Sequence, residues 1–148
     1  MKFTDCKELP TDEQIASFER ELGLTFPPAL RDHYLHANGG SPDPYVYEDD
    51  NTDTVVLACY PLGRGRDSAI SVYEDLVVKK AVVPRHFFPL TSDGGGDVFF
   101  VDTSTENGAV YLWHHELGCE DPLIPLNVGL EDFWSRLKPD PYLKPKAH

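Results

Sequence analysis

A chain of 148 residues, 41% hydrophobic and 11% aromatic, has the size of one ordinary domain and buries roughly two thirds of its unfolded surface. That composition excludes a disordered chain. The formal net charge of −12, from 25 acidic against 13 basic residues, excludes general binding to nucleic acid or anionic membranes and favours a basic partner, or solubility alone.

In chain order, Met1 to Glu8 lacks the apolar core of a secretory signal, and no apolar run approaches a membrane span. The expected compartment is the cytoplasm. Thr11 reads as an N-cap with Gln14 three residues on, a capping box. Ile15, Phe18 and Leu22 follow at helical spacing, and Gly23 supplies a left-handed stop. Pro27-Pro28 opens a second helix with Leu30, Tyr34 and Ala37 as its core stripe, and Asn38-Gly39-Gly40 ends it. The pair forms a helical hairpin.

Tyr45 to Tyr47 reads as a short strand before the acidic loop Glu48 to Asp53, and Val55 to Leu62 as a longer one. Ser68 to Lys80 has Ile70, Tyr73 and Val77 at helical spacing, although Val77-Val78 and Val82-Val83 favour extended structure. Val98 to Val101, apolar on both faces, suits a central covered strand. Asn107-Gly108 marks a hairpin, with the connection running from Thr103 to Gly108 and a second strand from Ala109 to Trp113. Pro122 to Leu126 suits a short edge strand. Gly129 or Asn127 caps a last helix with Leu130, Phe133, Trp134 and Leu137 on one face, and residues 139–148 read as a loose basic tail.

The charge is unevenly placed. Asp32 to Gly63 carries six acids and His86 to Ser135 nine, with no Lys or Arg in either stretch. A fold that joins them would have one strongly negative face. The three cysteines, Cys6, Cys59 and Cys119, are odd in number and without CxxC spacing, which points to reduced thiols, with Cys59 in the core.

These landmarks fall in a definite order. Leu9 to Gly40 gives Leu-Pro, a capped helix, Leu-Gly-Leu-x-Phe-Pro and a helix ending in Asn-Gly-Gly; Phe88 to Glu116 gives Pro-Leu, Gly-Gly-Asp, two strands and Trp-His-His-Glu; Gly129 to Leu137 closes with Leu-Glu-Asp-Phe-Trp. The order resembles the SUKH superfamily of bacterial immunity proteins and fungal cell-wall assembly regulators. It departs from the family pattern in its Pro27-Pro28 pair and in Gly129-Leu130 where Ser-Phe is common, and Ser41 to Arg85 matches little. The resemblance implies one α+β domain over 1–148, its core about 9–138. A central, mainly antiparallel sheet is flanked by an N-terminal helical hairpin and a short C-terminal helix. It also implies a non-enzymatic cytoplasmic immunity protein without cofactor. Its partner would be a cognate toxin, basic because it acts on nucleic acid; the protein itself would touch neither nucleic acid nor membrane, as a monomer or weak dimer.

Asp93-Gly94-Gly95-Gly96-Asp97 has no Gly-Lys-Ser/Thr ending and reads as a structural corner. His114, His115, Glu116 and Cys119 lack HExxH spacing, and neighbours on a strand face opposite ways, so the two histidines are not expected to share an ion. Asp49, Asn51 and Asp53 imitate an EF-hand start, but Thr54 and Tyr60 stand where Gly and Glu belong. Ser68, Ser71 and Ser92 lack a nucleophile-elbow setting. His33 and His36 read as surface or second-layer residues, and Trp113 and Trp134 as core. The expected contact set is therefore Tyr45 and Tyr47 as aromatic anchors, with Glu48, Asp49, Asp50, Asp53, Asp102, Glu106, Glu116, Glu120 and Asp121 as the acidic face. Two rival readings are a regulatory interaction module without a toxin and a small metal-dependent hydrolase built on His114 and His115.

Overall fold

The computed structural model describes residues 1–116 and 121–142. Its elements are β1 (Lys2–Thr4), α1 (Asp12–Leu22), α2 (Pro28–Ala37), β2 (Ser41–Asp43), β3 (Val46–Glu48), β4 (Asp53–Cys59), α3 (Ala69–Tyr73), β5 (Phe87–Asp93), β6 (Val98–Asp102), β7 (Ala109–Trp113), β8 (Leu123–Pro125) and α4 (Leu130–Arg136). Strands β3 to β8 form a six-stranded sheet in sequence order, every pairing antiparallel. The expected α+β class holds. None of the described helices is long and apolar enough to cross a membrane.

Local signals account for the helix ends. The Thr11 hydroxyl accepts from the Gln14 amide at 3.1 Å, and the Gln14 side chain accepts from the Thr11 amide at 2.9 Å. Gly23 adopts φ +69°, as a left-handed stop requires. Arg31 of α2 pairs with Asp12 and Glu19 of α1 at 3.1 and 2.7 Å, clamping the hairpin. Ser68 caps α3, and the chain continues to Lys79 as a π-helix over Glu74–Lys79. Ile70 and Tyr73 of α3 and Val77 of the π-helix are all buried. The mixed signal of that segment thus resolves as helix with altered winding.

Phe88 on β5 sits under the rings of Phe26, Tyr34 and Tyr73, at 4.9, 6.4 and 5.7 Å. Phe99 on β6 meets Phe133 of α4 at 5.2 Å. Burying each such ring contributes about 2–3 kcal/mol. Cys59 is buried, while Cys6 is exposed. The first two strands were not legible in the sequence: β1 and β2 pair Phe3 with Pro42, and three-residue strands carry no readable alternation. The start of the expected tail, residues 139–142, is not loose at Asp140. Lys138 exchanges both backbone hydrogen bonds with Val46, at 2.9 and 3.1 Å, and Asp140 accepts from the Tyr45 hydroxyl at 3.0 Å. Residues 143–148 lie outside the described residues.

Candidate partner-binding surface

The acidic loop between β3 and β4 is built around Asp49. Its Oδ1 accepts from the amides of Asn51 and Thr52, both at 2.8 Å, and its Oδ2 from the Tyr47 hydroxyl at 2.6 Å. Burial alone would raise this carboxyl, but these hydrogen bonds and the nearby Arg136 charge outweigh it and hold Asp49 below its ordinary value. The EF-hand imitation is thereby explained: the carboxylate binds the loop's own amides. Asp49 is a loop organiser, with little left to offer a partner.

Tyr47 is also reassigned. It is fully buried, stacked on Phe133 at 5.3 Å and edge-on to Phe99 at 6.3 Å. Burial, then the bond to Asp49, pushes its hydroxyl up to about 12. It is a core residue and cannot anchor a partner. Tyr45 stays half-buried, tied to Asp140. Glu48 is exposed but pairs with Lys138 at 2.7 Å. Asp50 and Asp53 are exposed and make no ion pair among the described residues. Lys138 and Arg136 come to this loop from some 90 residues away, so the segment that is free of bases in sequence is not free of them in space. No local signal could have shown that.

The glycine-rich corner joins β5 to β6. Asp93 Oδ1 accepts from the amides of Gly95 and Asp97 at 2.9 and 2.8 Å, and Oδ2 from Thr54 Oγ1 at 2.9 Å. The amides that would cradle a phosphate are filled by the chain's own carboxylate. Asp97 in turn accepts from Nδ1 of His114 at 2.7 Å, and from Nδ1 and the amide of His115 at 2.6 and 3.1 Å. Burial would raise the Asp97 carboxyl, but the His115 amide and both imidazoles override it and lower it.

The expectation that His114 and His115 point apart fails here. Strand β7 ends at Trp113, so the alternation stops and both rings turn to one carboxylate. Their Nδ1 atoms are spent on Asp97, and no group of three or more His, Cys, Asp or Glu among the described residues is placed to hold a metal. Cys119 lies outside the described residues.

Asp102 is the second correction among the acids. It is 7% exposed, and its Oδ1 accepts from the amide and hydroxyl of Ser104 at 2.9 and 2.6 Å, closing the turn after β6. Glu106, Glu116 and Asp121 are exposed as expected. Glu120 lies outside the described residues. His33 departs from the surface reading: it is buried, stacked on Trp134 at 5.3 Å and edge-on to Phe3 at 5.3 Å. Its spacing from Leu30 and Ala37 on one helix face was the available signal. His36 is exposed, its Nδ1 2.9 Å from the Asp32 carbonyl.

The chain matches the sequence model of the SMI1 / KNR4 family (SUKH-1) over residues 9–136. In structure it is similar to a protein from Pseudomonas syringae pv. tomato, with a TM-score of 0.51 and 21% identity over 76% of this chain and 74% of the other. A likeness at that identity shows the fold alone. Comparison with curated proteins gives no match.

Proposed function

The chain belongs to the SMI1 / KNR4 family (SUKH-1), and we propose that it is an immunity protein that binds and neutralises a basic, nucleic-acid-targeting toxin in the cytoplasm. The carrying observation is the distribution of charge over the fold. Strands β3 to β8 contain no Lys or Arg, while Asp50, Asp53, Glu106, Glu116 and Asp121 stand exposed on or beside them. A toxin that acts on nucleic acid needs a positive cleft to hold phosphates. An inhibitor of opposite sign complements that cleft and gains association rate from long-range steering.

The mechanism is stoichiometric occlusion, without turnover or cofactor. Rigid turns organised by Asp49, Asp93 and Asp102 present the exposed carboxylates at little cost in chain ordering. Co-expression with the product of the adjacent gene, where that product is toxic on its own, tests the reading. Restored growth, with a complex recovered by pull-down, supports it; unrelieved toxicity with soluble immunity protein present contradicts it. A toxin-free interaction module would show the same surface with no toxin gene adjacent.

A further inference from the structure

Alternation along the strands sorts the sheet's side chains onto two faces. Phe88, Phe99 and their row-mates face the helices, as their ring contacts with Tyr73 and Phe133 require. The register then sets Phe100 beside Tyr111, and Val98 beside Trp113 and Leu123, on the opposite face. The same rule puts Leu57, next to buried Val56, and the pair Glu48 and Asp53 on that face.

This second face is less covered. Phe87, Val98 and Phe100 on this face are buried, but Leu57 is 44% exposed and Tyr111, Trp113 and Leu123 are half-buried. Tyr111 meets the Phe87 ring at 4.9 Å, edge-on; among the described residues, neither Tyr111 nor Trp113 makes a ring contact with a helix. The apolar centre is therefore aromatic. Its margins carry acids: Asp53 lies at one edge of the sheet beside Glu48, whose charge Lys138 already pairs at 2.7 Å, and Glu116 and Asp121 follow β7 and precede β8 at the other. No Lys or Arg lies on any of the six strands.

An aromatic centre with an acidic rim is complementary to guanidinium groups, whose planes stack on rings while their N–H groups reach carboxylates. We propose that the Leu57, Tyr111, Trp113 and Leu123 side of the sheet is the docking surface, and that its occupant is an arginine-rich surface segment of the partner protein stacked on Trp113 and Tyr111. The inference rests on the binding reading above and gives it a location. It moves the aromatic anchors from Tyr45 and Tyr47 to the other end of the sheet.

Deca-arginine, with deca-lysine as the comparison, provides the probe, and two-dimensional NMR of the full chain the readout. Deca-arginine is expected to shift the Trp113 indole and the β6–β8 amides and to bind several-fold tighter than deca-lysine, because stacking discriminates the two. Trp113→Ser and Leu57→Lys should each weaken binding about tenfold or more, whereas Glu74→Gln on the π-helix should not. Leu57→Lys alters an exposed position, so a dispersed spectrum is expected and keeps the test open if Trp113→Ser unfolds. Shifts confined to the helices, equal affinity for the two peptides, or unchanged affinity in folded Leu57→Lys would each overturn the proposal. The immunity reading fails separately: toxicity unrelieved by wild type sinks it whatever deca-arginine does. Full rescue by Leu57→Lys and Trp113→Ser would remove this face and leave immunity standing.

Discussion

Asp93 and Asp97 close the glycine corner on each other: the Asp97 amide donates to Asp93 Oδ1 at 2.8 Å, and the Asp93 amide donates to the Asp97 carbonyl at 2.9 Å. Asp93 is 5% exposed, so its carboxylate is stable there only because three donors surround it. Replacing it by Ala strands the Gly95 and Asp97 amides and the Thr54 hydroxyl. The expected cost is about 2–4 kcal/mol, read as a lower urea midpoint at unchanged slope. Asp93→Asn, which keeps one oxygen acceptor, should lose less than Asp93→Ala.

Asp97 gives a second, pH-dependent effect. Its folded carboxyl lies below the ordinary 3.8, so the stability it contributes is present above that value and is lost as pH falls through the lower folded value. Asp97→Ala should therefore cost about 1–3 kcal/mol at neutral pH and flatten the acid limb of the stability curve below pH 4. A melting series from pH 7 to pH 2.5 checks both. An unaltered acid limb would show that the imidazole clamp is energetically idle.

His33 acts in a different window. Burial pulls it from 6.5 to about 4, so the unfolded chain takes up a proton between those values and the folded one does not. Stability is full above pH 6.5 and falls as the pH drops towards 4, by on the order of 3 kcal/mol. Phe at position 33 keeps an aromatic ring between Trp134 and Phe3 and carries no proton. His33→Phe should abolish most of the slope between pH 6.5 and pH 4; parallel slopes in the two proteins would refute the assignment.

Gly129 caps α4 in an ordinary extended conformation, φ −78°, so space and not backbone freedom demands glycine. A Cβ there would stand 2.7 Å from the Asn107 carbonyl oxygen, which accepts from the Leu130 amide at 3.1 Å. Gly129→Ser adds a capping hydroxyl worth about 1 kcal/mol, yet it must push the Asn107 turn aside. The expected balance is a lower melting temperature by calorimetry. Relief is expected when Gly129→Ser is combined with a shortened Thr103–Gly108 connection.

The sequence was most readable where one local interaction decides the outcome. The Thr11 to Gln14 capping box, the Gly23 stop and the Asn107-Gly108 turn each depend on a few neighbouring residues, and each stands where the spacing placed it. The candidate contact surface was less readable, because exposure is a tertiary property. Tyr47 and Asp102 look like surface groups in an acidic context, but α4 covers the first and a turn folds over the second. His114 and His115 obey strand alternation only while the strand lasts. Lys138 reaches Glu48 across a gap in sequence that no motif spans.

An acidic sheet surface that captures a basic partner draws it in through long-range attraction that salt screens. The decisive measurement is stopped-flow association of this chain with a basic toxin domain that it neutralises on co-expression, taken across a salt series. The expected result is a one-to-one complex whose association rate falls about tenfold or more between 50 and 500 mM salt, and falls further when Asp50, Asp53, Glu116 and Asp121 are neutralised together. A rate indifferent to both salt and those four substitutions would contradict it.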